Sequence, residues 1–248
     1  MDLGQALVIS MLVIALIGAL VVFTSDAIRD SKVQNQSELP SRPVQWLHLS
    51  GSDAADPNAS WVSQVHASLS QELIVLTNLA TPGATAGQFA QLLDPGNSEV
   101  EVNIATLWIG PEDFLAGIQI LEFEEYLHSI LTWLEARKAT ILVGNLPDLS
   151  AELVAAKLAD PKAVHPVIDQ WNASIARLST SHGATIVELN ERLEPARSPI
   201  RYLYTTKFDP NPEAQAFVAD QFAAAMSVEL DQLISDRSWL VQGRFDDS

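Results

Sequence analysis

Ser52 is the residue of this sequence best suited by type and context to nucleophilic chemistry. It sits in the run Val44-Gln-Trp-Leu-His-Leu-Ser-Gly-Ser-Asp-Ala-Ala55, where an apolar segment stops at a small-residue turn ahead of a predicted helix, Ala59 to Leu73. A strand that ends this way presents its last side chain at the carboxyl edge of a parallel sheet, where open α/β folds place their ligands. Ser-Gly-Ser is also an ordinary loop sequence, so Ser52 gains weight only from its company. A serine hydroxyl is a poor nucleophile until a nearby base takes its proton. Of the five histidines, His48 lies within the first predicted strand, His66 and His128 on predicted helices, His165 near a helix start and His182 at a helix end, so each reads as a core or surface residue. The chain has no Cys, no His-x-x-x-His, no Asp-rich loop and no Gly-rich phosphate loop, so neither a metal nor a cofactor is expected. Pro82-Gly83 marks a tight turn, and a turn that needs positive φ is the usual reason for such a glycine.

The elements that must hold these residues alternate. Short apolar runs at Val44 onward, Leu73–Leu76, Val102–Ile109, Ala139–Val143 and Ala184–Leu189 read as buried strands. Between and after them, helices are predicted over Thr85–Leu93, Phe123–Arg137, Val164–Ser181 and Asn211–Leu233. The helix at 164–181 carries Val167, Ile168, Trp171, Ile175 and Leu178 on one face, with Gly183 just past its end as a C-terminal cap. Apolar strands alternating with helices predict an α/β fold, a doubly wound parallel sheet covered on both faces.

The 248 residues accommodate one membrane segment, a linker and one such domain. Leu3 to Ser25 carry no charge. As a helix they would span roughly 34 Å, enough to cross a bilayer core. The expected organisation is a transmembrane helix in residues 1–25, a polar linker over 26–43 and the α/β domain from 44 to 248, including a C-terminal tail with Trp239, Leu240 and Val241. A cleaved signal peptide is the rival reading; no Lys or Arg precedes the apolar run and no Ala-x-Ala site follows it. Gly18, with Ala15 and Ala19, gives that segment a small-residue face of the kind that packs on other membrane helices. Arg29 and Lys32 after the segment lean toward a cytoplasmic domain, yet long domains cross membranes largely regardless of such charges. With 31 acidic against 14 basic residues, a formal charge of −17 opposes nucleic acid and anionic lipid as partners of the domain. Asn35, Asn58 and Asn172 begin Asn-x-Ser sequons.

Across roughly Val44 to Met226 the sequence resembles the SGNH (GDSL-type) hydrolases, flavodoxin-like α/β esterases and lipases. The likeness is closest in Asn78-Leu-Ala-Thr-Pro-Gly-Ala-Thr85, with Gly144-Asn-Leu-Pro-Asp-Leu149 and Trp171-Asn-Ala-Ser-Ile175 as further scaffold runs. The resemblance implies Ser52 as the nucleophile, although Ser50-Gly-Ser52 keeps only the serine of Gly-Asp-Ser, and Gly83 as a backbone donor to the oxyanion. The family's Gly-x-Asn-Asp aligns with Gly110-Pro-Glu-Asp113, which puts Glu112 in the place of the oxyanion-binding Asn. Its Asp-x-x-His-Pro aligns with Thr206-Lys-Phe-Asp-Pro210, which puts Thr206 in the acid's place and Asp209 in that of the general base. An aspartate with a pKa near 4 is a far weaker base at neutral pH than histidine, unless burial or a second carboxylate raises it. Glu112 and Asp209 as a glycosidase-like pair have no motif behind them beyond their positions.

Two functions therefore stand. One is a membrane-anchored SGNH-type domain, catalytically impaired or inactive, that serves as a binding or accessory subunit of a membrane complex. The other is an active ester hydrolase using Ser52 with Asp209 as an unusual base. Membrane-tethered domains of the family are usually exported, so the resemblance places the domain on the outer face.

Overall fold

The computed structural model describes residues 43–51, 60–69, 73–93, 100–149, 161–190 and 211–236. Ser52, Thr206, Asp209, the apolar run at 3–25, the linker and the tail with Trp239 lie outside the described residues. Five parallel strands, β1 (Val44–Ser50), β2 (Ile74–Asn78), β3 (Ile104–Trp108), β4 (Thr140–Gly144) and β5 (Thr185–Val187), form one sheet in the order β2-β1-β3-β4-β5. The order reverses direction at β1, so β1 and β3 flank the switch point where open α/β sheets bind ligands. This is the doubly wound parallel arrangement expected from the alternation of apolar runs and helices.

Two helical layers cover the sheet. One holds α1 (Trp61–Ser68) and α6 (Pro212–Asp236), packed on Trp46, Ile104, Trp108, Leu142 and Val187. The other holds α2 (Ala86–Leu92), α4 (Ile120–Glu135) and α5 (Pro161–Ser181), packed on Leu47, Leu49, Ala105, Leu107, Ile141 and Val143. The period-2 alternation of each strand sends successive side chains to opposite layers, and burial of both faces explains why the strands read as unbroken apolar runs.

Helix ends follow local chemistry. Ser60 caps α1 by accepting from the Ser63 amide, and Thr85 with Gln88 forms a capping box at α2. Gly183, at φ 67°, ends α5 in the left-handed region closed to most side chains.

Several boundaries differ from the sequence reading. The helix predicted from Ala59 ends at Ser68, and Leu73 precedes β2. A short helix, α3 (Pro111–Leu115), was hidden in the Gly110-Pro-Glu-Asp segment because five residues are too few for a helical period to show. Helix α5 starts at Pro161, so His165 lies inside it. Ile168, Trp171, Ile175 and Leu178 form the buried stripe of α5 as predicted, with Val164 in place of Val167, which is 42% exposed.

Trp61 fixes the α1–α6 layer. Its ring stacks on Phe222 at 4.2 Å and meets His48 edge-on at 4.5 Å, while its backbone N–H donates to Gln215 Oε1 at 2.7 Å. Trp61→Ala is expected to cost about 3–5 kcal/mol through the cavity left behind, read as a lower denaturant midpoint. Leu121→Ala, at a 70% exposed position, is expected to stay within about 0.5 kcal/mol of wild type.

Candidate active site

The carboxyl ends of β1, β2 and β3 are tied together by main-chain hydrogen bonds. Beyond β2 the chain keeps pairing with β1: Leu79 N donates to His48 O at 2.9 Å, Thr81 N to Ser50 O at 2.9 Å and Gly83 N to Gly51 O at 2.8 Å. Gly83 has φ 81°, as the Pro-Gly turn required. This turn therefore lies directly against the residue that precedes Ser52.

On the other side of β1, Gly110 turns the chain out of β3 at φ 119°, and α3 begins at Pro111. A Cβ placed on Gly51 would fall 2.7 Å from Glu112 Cγ and would also strike the Ala84 carbonyl. Position 51 is thus glycine because the Gly83–Ala84 turn and the Glu112 side chain converge on it. The structure brings together Gly51, Gly83 and Glu112; Ser52 follows Gly51 in the chain, and Ser52, Thr206 and Asp209 are outside the described residues.

Asp113 is the group that sequence reasoning passed over. It is fully buried, and both carboxylate oxygens lie 3.0 Å from the Ala86 N–H at the start of α2. This bond joins α3 to the first turn of α2, and so fixes Glu112 relative to Gly83. Burial raises its pKa from 3.8 to about 6, with the Glu122 charge adding to the rise and backbone hydrogen bonds from Ala86, Asp113 and Gly110 opposing it. The available signal was a carboxylate directly after Glu112 in a stretch otherwise bound for the core.

The scaffold runs also meet. Asn172, on α5, accepts from Leu146 N at 2.8 Å and donates to Leu146 O at 2.9 Å, so its amide replaces a strand partner for the loop after β4. With that amide engaged, the Asn172 sequon is committed to the fold. Asn145 Oδ1 accepts from Leu189 N at 2.6 Å and Asn190 N at 3.1 Å, holding the exit of β5.

The histidines are engaged elsewhere. His48 is buried, with Nδ1 2.9 Å from Thr106 Oγ1, which also accepts from Trp46 Nε1. His66 is 6.1 Å from Trp46 ring to ring. His165 Nε2 lies 3.4 Å from Asp148 Oδ2. His128 Nδ1 pairs with His182 Nε2 at 2.9 Å, and His182 Nδ1 with Glu135 Oε2 at 2.6 Å, a chain that links α4 to the end of α5.

The carboxyl edge thus sets the glycine turn at Gly83 and the turn at Gly110 on either side of Gly51. A model of the GDSL-like lipase/acylhydrolase family matches residues 48–217. The chain belongs to this family. Among solved structures, it is similar to the psychrotrophic esterase EstA from Pseudoalteromonas, at 18% identity and a TM-score of 0.59 over 75% of this chain and 98% of that one. An acetyl xylan esterase, AlAXEase, gives 13% identity and a TM-score of 0.60 over 73% and 99%. The acetylxylan esterase Axe2 from Geobacillus stearothermophilus gives 14% and 0.56 over 74% and 94%. At these identities the structural likeness is one of fold. No curated protein matches the chain.

Asp113 makes stability depend on pH. Because its folded pKa of about 6 exceeds the unfolded value, its contribution is fully present below about pH 4 and is lost as pH rises through about 6. Two units correspond to about 3 kcal/mol. In denaturant titrations between pH 4 and 7, Asp113→Asn is expected to remove this downward component from the pH profile; identical profiles for both proteins would show that Asp113 does not titrate in that window.

Proposed function

We propose that this GDSL-family chain is a membrane-anchored SGNH-type domain with strongly weakened ester hydrolysis, serving as a binding or accessory subunit at the outer face of a membrane. The observation that carries the reading is Glu112 packed against Gly51, at the position where the family motif has an Asn that donates to the oxyanion. An oxyanion hole acts by aiming fixed donors at developing negative charge, and loss of one donor costs about 10²–10³ in rate. A carboxylate there adds repulsion. The Gly83 amide, the second donor in the family's scheme, donates to Gly51 O at 2.8 Å and would have to leave that bond to serve. Thr206 and Asp209, aligned with the motif's acid and histidine, offer no imidazole.

The uncharged run at 3–25 supports the anchor, and its small-residue face around Gly18 supports a partner within the membrane. The second reading, an active esterase for acyl groups on glycan or lipid, is supported by the intact backbone ties at the carboxyl edge and by similarity to acetyl xylan esterases. In it, Ser52 is the nucleophile and Asp209 the base.

Hydrolysis of short-chain p-nitrophenyl esters separates the two. Wild type and Ser52→Ala are expected to show the same near-background rate. Turnover well above background that disappears in Ser52→Ala would overturn the proposal, and a rate profile governed by a carboxylate pKa above about 6 would then mark Asp209 as the base. The anchor is tested separately: the protein should stay with membranes through alkaline carbonate washing and be released only by detergent.

A further inference from the structure

We propose that His128 and His182, facing each other across the seam between α4 and α5, form a two-imidazole site for a borderline divalent metal ion, Zn²⁺ in the first instance, that clips the two helices together. His128 Nδ1 lies 2.9 Å from His182 Nε2, and His182 Nδ1 lies 2.6 Å from Glu135 Oε2. Two ring nitrogens that close share one proton, one nitrogen donating and the other accepting. A metal ion takes the place of that proton and receives both lone pairs. With Zn–N distances of about 2.0–2.1 Å, tetrahedral ligand nitrogens stand about 3.3 Å apart. From 2.9 Å the pair therefore needs to open by only about 0.4 Å. The rings already converge, with centroids 5.0 Å apart and planes at 53°.

Glu135 selects the tautomer that a metal requires. An ionised carboxylate only accepts, so the neutral His182 ring carries its proton on Nδ1, toward Glu135, and presents the lone pair on Nε2. His128 is exposed on α4, and its neutral ring needs only to move its proton from Nδ1 to Nε2. A neutral pair thus takes up the ion without net release of a proton. His182 is held more firmly. Its side chain is 9% exposed, and the turn that ends α5 fixes its main chain, with His182 N donating to Leu178 O at 3.2 Å and Ala184 N to Ser179 O at 2.8 Å. About a turn earlier along both helices, Arg177 Nη2 donates to Glu124 Oε1 at 2.8 Å, so the seam is already in register before an ion arrives. One fixed ring and one adjustable ring reach ligand geometry with little rearrangement.

The donor set decides the ion. Imidazole nitrogen suits Zn²⁺, Ni²⁺ and Cu²⁺, whereas Mg²⁺ and Ca²⁺ demand oxygen ligands. Among the described residues no three His, Asp or Glu side chains converge on one metal position. Water therefore completes the coordination, and the site is a two-ligand clip, distinct from the closed four-ligand centres that structural zinc usually occupies. A formal charge of −17 favours the approach of a cation. Glu135 and His182 stand where α4 leads toward β4 at Thr140 and α5 toward β5 at Thr185, so the clip lies toward the amino edge of the sheet. Gly51, Gly83 and Glu112 are at the carboxyl edge, and an ion on the histidines acts on the helix seam and not on them.

The test is calorimetric titration of the full-length, chelator-stripped protein in detergent with ZnCl₂, in excess Mg²⁺ to occupy sites made of oxygen alone. The expected result is saturable binding of Zn²⁺ at a single site, with a rise in unfolding temperature that Mg²⁺ alone does not give. His128→Ala, at an exposed position, and His182→Ala should each weaken binding by about tenfold or more and remove the thermal shift, because a single imidazole remains. Glu135→Gln should weaken binding about tenfold, the usual cost of losing a carboxylate that orients a ligating histidine, while the metal-free variant unfolds as wild type does. His165→Ala, whose ring lies by Asp148, should bind Zn²⁺ as wild type does. Absence of saturable binding in excess Mg²⁺, wild-type affinity in a His128→Ala protein with unchanged circular dichroism, or an equal loss in His165→Ala would overturn the proposal.

Discussion

The backbone of β1 is hydrogen-bonded on both sides, to β2 and to β3, while its side chains alternate between two cores, Trp46 into one and Leu47 and Leu49 into the other. A strand with no free edge and no free face has one possible register, because a slip of one residue would move every side chain to the wrong layer. The end of β1 is consequently a fixed point in space. The Gly83 turn is bonded to it, Glu112 packs against it, and Ser52 is the next residue in the chain. The geometry of this edge depends on that immobilised strand.

The carboxyl edge combines a scaffold of backbone ties with a carboxylate, Glu112, packed against Gly51. Backbone bonds join the turns after β1 and β2, and Asp113 joins the turn after β3 to α2. These ties require only main-chain groups and one buried carboxyl, so they persist whatever side chains project from the edge. Catalysis is more demanding than folding here: it needs donors where negative charge develops and a base near neutrality. A carboxylate at Glu112 satisfies the fold and opposes that chemistry.

The opposite layer follows a different logic. Along α2 and α4, close approach at Gly87 and Tyr126 is combined with small side chains at Ala90 and Ala136, so the helices pack at one level and leave a groove at another. Along α4 and α5, side-chain pairs advance in the same direction on both helices, which holds His128, His182 and Glu135 together toward the amino end of the sheet, far from the residues that resemble the family's motifs. Fold membership says nothing about such a cluster, because function resides in sites and a family model describes the scaffold they share.

By itself the sequence determined the layer architecture, the five strands and the glycine turns at Gly83 and Gly183, since these follow from local periodicity and from backbone conformations that only glycine adopts easily. It also singled out Ser52 and Glu112 by their places in motifs. Tertiary structure decided what no local pattern encodes. Asp113 is a capping group for a helix 27 residues away, Asn172 is a surrogate strand partner for Leu146, and Gly51 is glycine because two other segments converge on it. Each of these depends on distances between segments remote in the chain, and such distances exist only after the two cores have formed around the sheet.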